Sequence, residues 1–217
     1  MEVEGRKERP QSESAAFDFA FNFRLSAFDL RLLYAGTLGR KHNPQLLVEL
    51  LASARRQGIP AVLSVVSEGE AADELRRIAE DQPDLPLSVH PFQPADQLSA
   101  TLGSADILVG LLEPEATAFS IPSKVLTYMA AGRPLIGLMP MNNPAAKDIV
   151  ACGGFVAEPT PAGAEQAAVW LVDLASDAEA RARIGRQTRA VADEKFAPDR
   201  ITKQFESVIS GLIDGAR

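Results

Sequence analysis

The sequence has one cysteine, Cys152, two histidines, His42 and His90, and no surplus of positive charge. A lone thiol cannot form an internal disulfide framework or supply a cysteine cluster for a metal. The two histidines stand far apart, without the local spacing that holds zinc. Lys and Arg number 22 against 29 Asp and Glu, a formal net charge of -7, whereas a nucleic-acid-binding domain presents a basic face. No apolar run reaches the roughly 18 residues of a membrane-spanning helix. A secretory signal needs a continuous apolar stretch of about 7–15 residues, and Ala15–Phe23 is interrupted by Asp18 and Asn22. These absences point to a reducing, aqueous, cytoplasmic setting and leave only peripheral membrane contact open.

The hydrophobic fraction, 46% of 217 residues, is enough to build one domain with a sizeable core. Three parts are expected: an N-terminal segment over 1–30, a domain over 31–200 and a C-terminal helix over 201–217. Met1–Ser14 is polar with mixed charge and has little to bury, so it is expected to be flexible. Phe17, Phe19, Phe21 and Phe23 alternate as in a short strand or packing segment, with a membrane or partner anchor as the alternative.

From Arg31 apolar runs and helical periodicities take turns. Strands are predicted at Arg31–Gly36, Ala61–Ser67, Leu87–Phe92, Ala105–Leu112, Pro134–Met139 and Phe155–Glu158. Between them lie helical patterns at Pro44–Gln57, Glu70–Glu80, Asp96–Leu102, Ser123–Ala131 and Ala145–Cys152. Three more follow, at Ala162–Ala175, Asp177–Lys195 and Ile201–Ile213. Strands rich in Val, Ile and Leu suit a sheet covered on both faces, and short alternating units imply right-handed crossovers. The fold class is therefore α/β, a doubly wound, Rossmann-like parallel sheet with extra C-terminal helices.

In such sheets ligands bind beyond the carboxyl ends of the strands, so the loops there are the ones to search. Gly36-Thr37-Leu38-Gly39-Arg40-Lys41 follows the first strand. Its glycines allow close backbone approach, its amides attract anions, and Arg40 and Lys41 add charge. It is neither G-x-G-x-x-G nor G-x-x-x-x-G-K-[ST], so a dinucleotide fingerprint and a P-loop are unsupported. Ser67-Glu68-Gly69 reads equally as a simple turn. Two prolines stiffen His90-Pro91-Phe92-Gln93-Pro94, and Phe92 suits either a planar base or ordinary packing. Ile121-Pro122-Ser123-Lys124 opens a helix whose free amides, hydroxyl and ammonium make an anion site. The small residues Ala130-Ala131-Gly132 at its end are expected to pack closely on the sheet. Ser123 lacks the G-x-S-x-G setting and an evident base, which argues against a nucleophile.

The ordered set LLYAGTLGRKHNP, LSVVSEGE, VHPFQPADQL, SADILVGLL, IPSKVLTYMAAGRPLI and GGFVAEP resembles the C-terminal half of a GT-B glycosyltransferase. More narrowly, it resembles the retaining group 1 (family 4) sugar transferases over about Leu32–Ile209. In that family the C-terminal half holds a nucleotide diphosphate sugar. The resemblance implies that Gly36, Thr37, Gly39, Arg40, Ser123 and Thr127 bind the donor, with Phe92 and Gln93 bordering the base. Lys41 and Lys124 would be the catalytic cations, stabilising the departing diphosphate with no metal or other cofactor. PSKVLTYMAAGRP is similar to bacterial members that assemble cell-surface polysaccharide, often from UDP-linked sugars. This sequence differs from the family in having Phe119 and Thr127 at the usual glutamate pair, and Thr37 at a usual arginine. About thirty residues precede the first strand, too few for the acceptor half. Two readings follow: the donor half of a UDP-sugar transferase, or a non-catalytic split module that pairs with a separate acceptor-domain chain. A sugar-nucleotide epimerase and a flavodoxin-like regulator fit less well.

Overall fold

The computed structural model describes residues 29–39, 42–114 and 123–214. The phenylalanine-rich N-terminal segment, Arg40 and Lys41 lie outside them. The strands are β1 Leu30–Ala35, β2 Ala61–Val66, β3 Leu87–His90, β4 Ile107–Leu111, β5 Leu135–Leu138 and β6 Phe155–Ala157. All pair in parallel in the order β3-β2-β1-β4-β5-β6, so the chain winds outward from β1 in both directions. This is the doubly wound sheet expected from the alternation. β3 stops two residues short of its predicted end because Pro91 has no N–H for the ladder.

The helices are α1 Gln45–Arg56, α2 Glu70–Asp81, α3 Leu98–Gly103, α4 Ser123–Ala130 and α5 Pro144–Ala151. They continue as α6 Pro161–Ala175, α7 Ala178–Phe196 and α8 Pro198–Asp214. Asn143, Thr160 and Asp177 cap α5, α6 and α7 by accepting first-turn amides at 2.9, 3.1 and 2.7 Å. Proline opens α5 and α6, where its missing N–H is not needed.

Because strand side chains alternate, the sheet builds two cores. Leu30, Leu32 and Tyr34 of β1 face α1, α2 and α6, while Leu33 and Ala35 face α3, α4 and α5. Helix α7 contributes to both, through Ile184 on one side and Ala192 on the other. At the amino ends of the strands, the Arg31 guanidinium forks onto Asp106 at 2.9 and 3.0 Å. The Arg31 amide donates to the same carboxylate at 2.9 Å. Burial opposes the Asp106 charge, yet these bonds outweigh it and hold the carboxyl below its ordinary range. The pair fastens β1 to β4, the two strands between which the winding reverses.

Of the small residues that end α4, Ala131 packs against the core that includes Leu33, Leu108 and Leu135 of the sheet, and Gly132 permits a close approach to α7. A Cβ placed on Gly185 would lie 2.3 Å from the Gly132 carbonyl oxygen. Gly132 itself sits at φ +66°, ending the helix in the left-handed region. Two glycines at one crossing thus bring the backbone just after α4 onto that of α7 and fix where the carboxyl end of α4 lies.

Candidate functional site

The ladder between β1 and β4 runs through Leu32↔Ile107 and Leu33↔Leu108. Both strands continue beyond it, so they part toward their carboxyl ends. Ala35, last in β1, then lacks a β4 partner. The buried hydroxyl of Tyr128 takes that place, accepting the Ala35 N–H and donating to the Ala35 carbonyl, each at 2.8 Å. One side chain from α4 thereby satisfies the backbone where the sheet splits.

The split opens a pocket of about 210 Å³. Its walls come from Ala35 at the end of β1 and Gly36 after it, Phe92 and Gln93 after β3, Thr101 of α3, and Ser123, Lys124 and Thr127 of α4. Six residues predicted from the sequence meet here: Gly36, Phe92, Gln93, Ser123, Lys124 and Thr127. Thr37 and Gly39 stand beside the pocket rather than in its wall, and Arg40 and Lys41 fall outside the described residues.

Lys124 is the cation of this pocket. Its aliphatic stem crosses Gly36 so closely that a Cβ there would lie 2.2 Å from Cε. Gly36 has φ +142°, a conformation that glycine adopts freely. The ammonium sits 5.7 Å from the centre of the Tyr34 ring, within cation–π range. Burial lowers the Lys124 pKa from its ordinary value. Among the described residues no carboxylate pairs with it. A half-buried ammonium at the start of a helix, where first-turn amides point outward, is suited to an anion.

The loop after β1 is pinned by its own bonds. Gly36 N–H donates to Val66 O at 2.9 Å, and Leu38 N–H donates to Ser67 Oγ at 3.2 Å. Gly39 N–H donates to His42 Nδ1 at 3.1 Å, and Tyr34 Oη donates to Thr37 O at 2.8 Å. These amides serve the loop's shape. Across the pocket Phe92 is 45% exposed, which leaves its ring free to stack. Its N–H is held by the Glu68 carboxylate at 3.1 Å. Gln93 Nε2 donates to Pro91 O at 3.0 Å, and Thr127 Oγ1 to Ser123 O at 3.4 Å. The roles of Tyr34, Tyr128 and His42 had no local signal, since each depends on which elements become neighbours.

A larger cavity, about 910 Å³, opens at the amino ends of the strands. It is lined by Asp29, Ile59, Pro60, Val172 and the already paired Arg31 and Asp106, among others. Arg31 and Asp106 are spent on one another, Arg181 donates to the Leu174 and Ala175 carbonyls, and the cavity lies at the end of the sheet opposite to that where such folds bind ligands. The smaller pocket is the candidate site. Among the described residues, no group of three His, Cys, Asp or Glu side chains could hold a metal ion.

A doubly wound α/β domain with its pocket at the winding reversal belongs to the architecture that binds nucleotides there. The profile of the family described as Glycosyl transferases group 1 matches residues 29–174, and the chain belongs to that family. No curated protein sequence matches it. Among solved structures, a point mutant of S. aureus TarM, in complex with fondaparinux, alpha-GlcNAc-glycerol and UDP, superposes with a TM-score of 0.69 at 14% identity, over 83% of this chain and 35% of that one. Anabaena HepE in complex with UDP-glucose gives 0.66 at 16% identity, over 84% of this chain and 49% of that one. The C-terminal domain of Francisella tularensis LpcC, a group 1 glycosyl transferase, gives 0.60 at 18% identity. There the overlap is 77% of this chain and 86% of that domain. At such identities the likeness is one of fold: this is a GT-B domain, spanning a third to a half of the longer relatives.

Proposed function

We propose that the chain is the donor-binding half of a sugar transferase, holding a nucleotide diphosphate sugar, UDP-linked, in the pocket between β1 and α4. The observation that carries this is the meeting of Lys124, the α4 amino end, Gly36 and the Phe92-Gln93 loop at the winding reversal. The complexes of HepE with UDP-glucose and of TarM with UDP support it by likeness of fold. A pocket of about 210 Å³ is smaller than the roughly 300–1,000 Å³ that encloses a whole ligand. It therefore walls one side of the donor, and an acceptor-binding surface closes the other. The diphosphate lies against Lys124 and the first-turn amides, and the base lies toward Phe92 and Gln93.

In transfer, the bond between the sugar and the diphosphate breaks and negative charge grows on the departing oxygen. Fixed donors and a partly desolvated ammonium stabilise that charge more than they stabilise the ground state. The scheme calls on no metal. Assembly of cell-surface polysaccharide or another glycoconjugate in the cytoplasm is the process proposed.

Calorimetry with UDP-glucose and UDP-N-acetylglucosamine tests this reading. Saturable binding is expected, weakened about 10- to 100-fold by Lys124→Ala, as for loss of one charge-assisted hydrogen bond. Absence of binding at millimolar ligand would overturn it. A second reading, a module that acts only with a separate acceptor-domain chain, is favoured by α8. That helix leaves Phe205, Val208, Ile209 and Leu212 exposed at 66%, 61%, 54% and 70%, an apolar stripe suited to burial against another surface. Turnover of UDP-sugar by the chain alone would exclude it.

A further inference from the structure

We propose that His42 is a positioning residue for the donor site: its bare Nδ1 holds the Gly39 amide and so sets the loop that carries Gly36 past Lys124. The proposal rests on the reading of that pocket as a diphosphate site. His42 and Gly39 bond reciprocally, Gly39 N–H to Nδ1 at 3.1 Å and His42 N–H to Gly39 O at 2.9 Å. The turn so closed is the last of three side-chain pins on the loop, which add to the backbone bond from Gly36 N–H to Val66 O. The other two are the hydroxyl of Tyr34 on Thr37 O and that of Ser67 under the Leu38 amide. Neither of those hydroxyls ionises near neutrality, and burial raises the Tyr34 phenol well above its ordinary value. Only the histidine pin can be released by a proton.

An Nδ1 that accepts an N–H must be unprotonated, which puts the neutral ring's hydrogen on Nε2. Burial, together with the nearby Lys124 charge, keeps the His42 pKa below its ordinary value, so the pin is set at neutral pH. Lys124, from α4, is the charged group that bears on the ring among the described residues; Arg40 and Lys41 adjoin His42 in the chain and lie outside them. Protonation would place two donors face to face, Nδ1–H against Gly39 N–H, and break the bond. The imidazolium would also repel Lys124, whose stem lies against Gly36. Acid therefore loosens the loop and shifts the cation together.

The test compares UDP-glucose binding by the wild-type chain, His42→Ala, His42→Asn and His42→Gln. The Asn oxygen can reach the place of Nδ1, whereas the Gln amide extends toward Nε2. One hydrogen bond, about 1 kcal/mol, predicts that His42→Ala and His42→Gln bind roughly 5-fold more weakly at pH 7.5. His42→Asn should stay within about twofold of wild type. A nucleotide sugar has no terminal phosphate to titrate near pH 6, so a fall in wild-type affinity between pH 7.5 and 5.5 reports on the protein. His42→Asn, which retains His90, should show little of that fall. Affinity that rises on acidification would make His42 an anion-binding cation instead and overturn the proposal. So would an Ala variant that binds like wild type.

Amide exchange separates this idea from the donor reading, because it needs no ligand. Gly39 should be protected in wild type and His42→Asn and exposed in His42→Ala, with a wild-type ring spectrum of the Nε2–H form. If no variant binds UDP-glucose but this pattern holds, the donor reading fails and the pin stands. An unprotected Gly39 in the wild-type chain refutes the pin itself.

Discussion

Substituting Gly36→Ala perturbs the site at the point where backbone and cation meet. The new methyl would lie 2.2 Å from Lys124 Cε, 2.8 Å from Cδ and 3.3 Å from Cγ, against an optimum of about 3.5–4.0 Å between carbons. The obstructing atoms belong to a flexible side chain, so the overlap is relieved by swinging Lys124 away. What does not relax is the backbone, since φ +142° suits glycine and costs another residue about 1–3 kcal/mol. Two consequences follow. Urea denaturation should show a loss of about 1–3 kcal/mol, and calorimetry should show UDP-glucose binding weakened about 10- to 100-fold, as by Lys124→Ala. Because both changes remove the same cation, the double variant Gly36→Ala, Lys124→Ala should bind no worse than either single variant. It should also be no less stable than Gly36→Ala, the methyl having lost its obstacle. Additive losses in binding, or normal binding by Gly36→Ala, would refute the role assigned to this contact.

Other expectations can be checked by denaturation alone. Gly185→Ala should gain up to about 1 kcal/mol of helix propensity, yet its Cβ would meet the Gly132 oxygen at 2.3 Å. Backbone cannot turn aside as a side chain can, so a net loss of about 1–3 kcal/mol is expected, and a stabilised variant would refute the tight α4–α7 crossing. Tyr128→Phe removes the hydroxyl that serves both Ala35 groups; a loss of about 1–3 kcal/mol is expected, and an unchanged urea midpoint would count against the bridging role. Both histidines are held below their ordinary pKa, by burial first and by Lys124 or Arg76 second. The unfolded chain therefore binds more protons below about pH 6.5. Stability should fall from pH 7.5 to 5.5, less steeply in His42→Asn, and an equal slope in both proteins would exclude His42 as a contributor.

The strands and helices were legible because each is written in local chemistry. LRLLYA and AVLSVV are apolar on both faces, as central parallel strands must be, and Leu46, Leu47, Leu50, Leu51 and Ala54 trace one buried face of α1. The stop at Gly58 after α1 was legible too, whereas β3 ends before Pro91 rather than at the expected Phe92. The candidate site was legible in part: Gly36, Phe92 and Gln93 stand in loops that follow strands, Ser123, Lys124 and Thr127 in the helix entered from such a loop, and the rule for open parallel sheets places these together. The use of the β1 loop amides was not. Glycines and neighbouring cations suggest amides turned toward a ligand, whereas Ser67 and His42 take two of them. A sequence shows which groups can donate, but not which acceptor arrives first.

From residue order alone came the alternation of elements, the doubly wound class, the acidic surface and the resemblance to group 1 sugar transferases. The strand order β3-β2-β1-β4-β5-β6 decided what those elements mean to one another. It sets β1 beside β4, so that their divergence opens a cleft, Tyr128 closes the orphaned end of β1, and Lys124 crosses Gly36. These partners are distant in the chain, and no periodicity or turn preference couples them. They meet because burying both faces of one sheet leaves few places for α4, and a glycine-on-glycine contact with α7 selects among them.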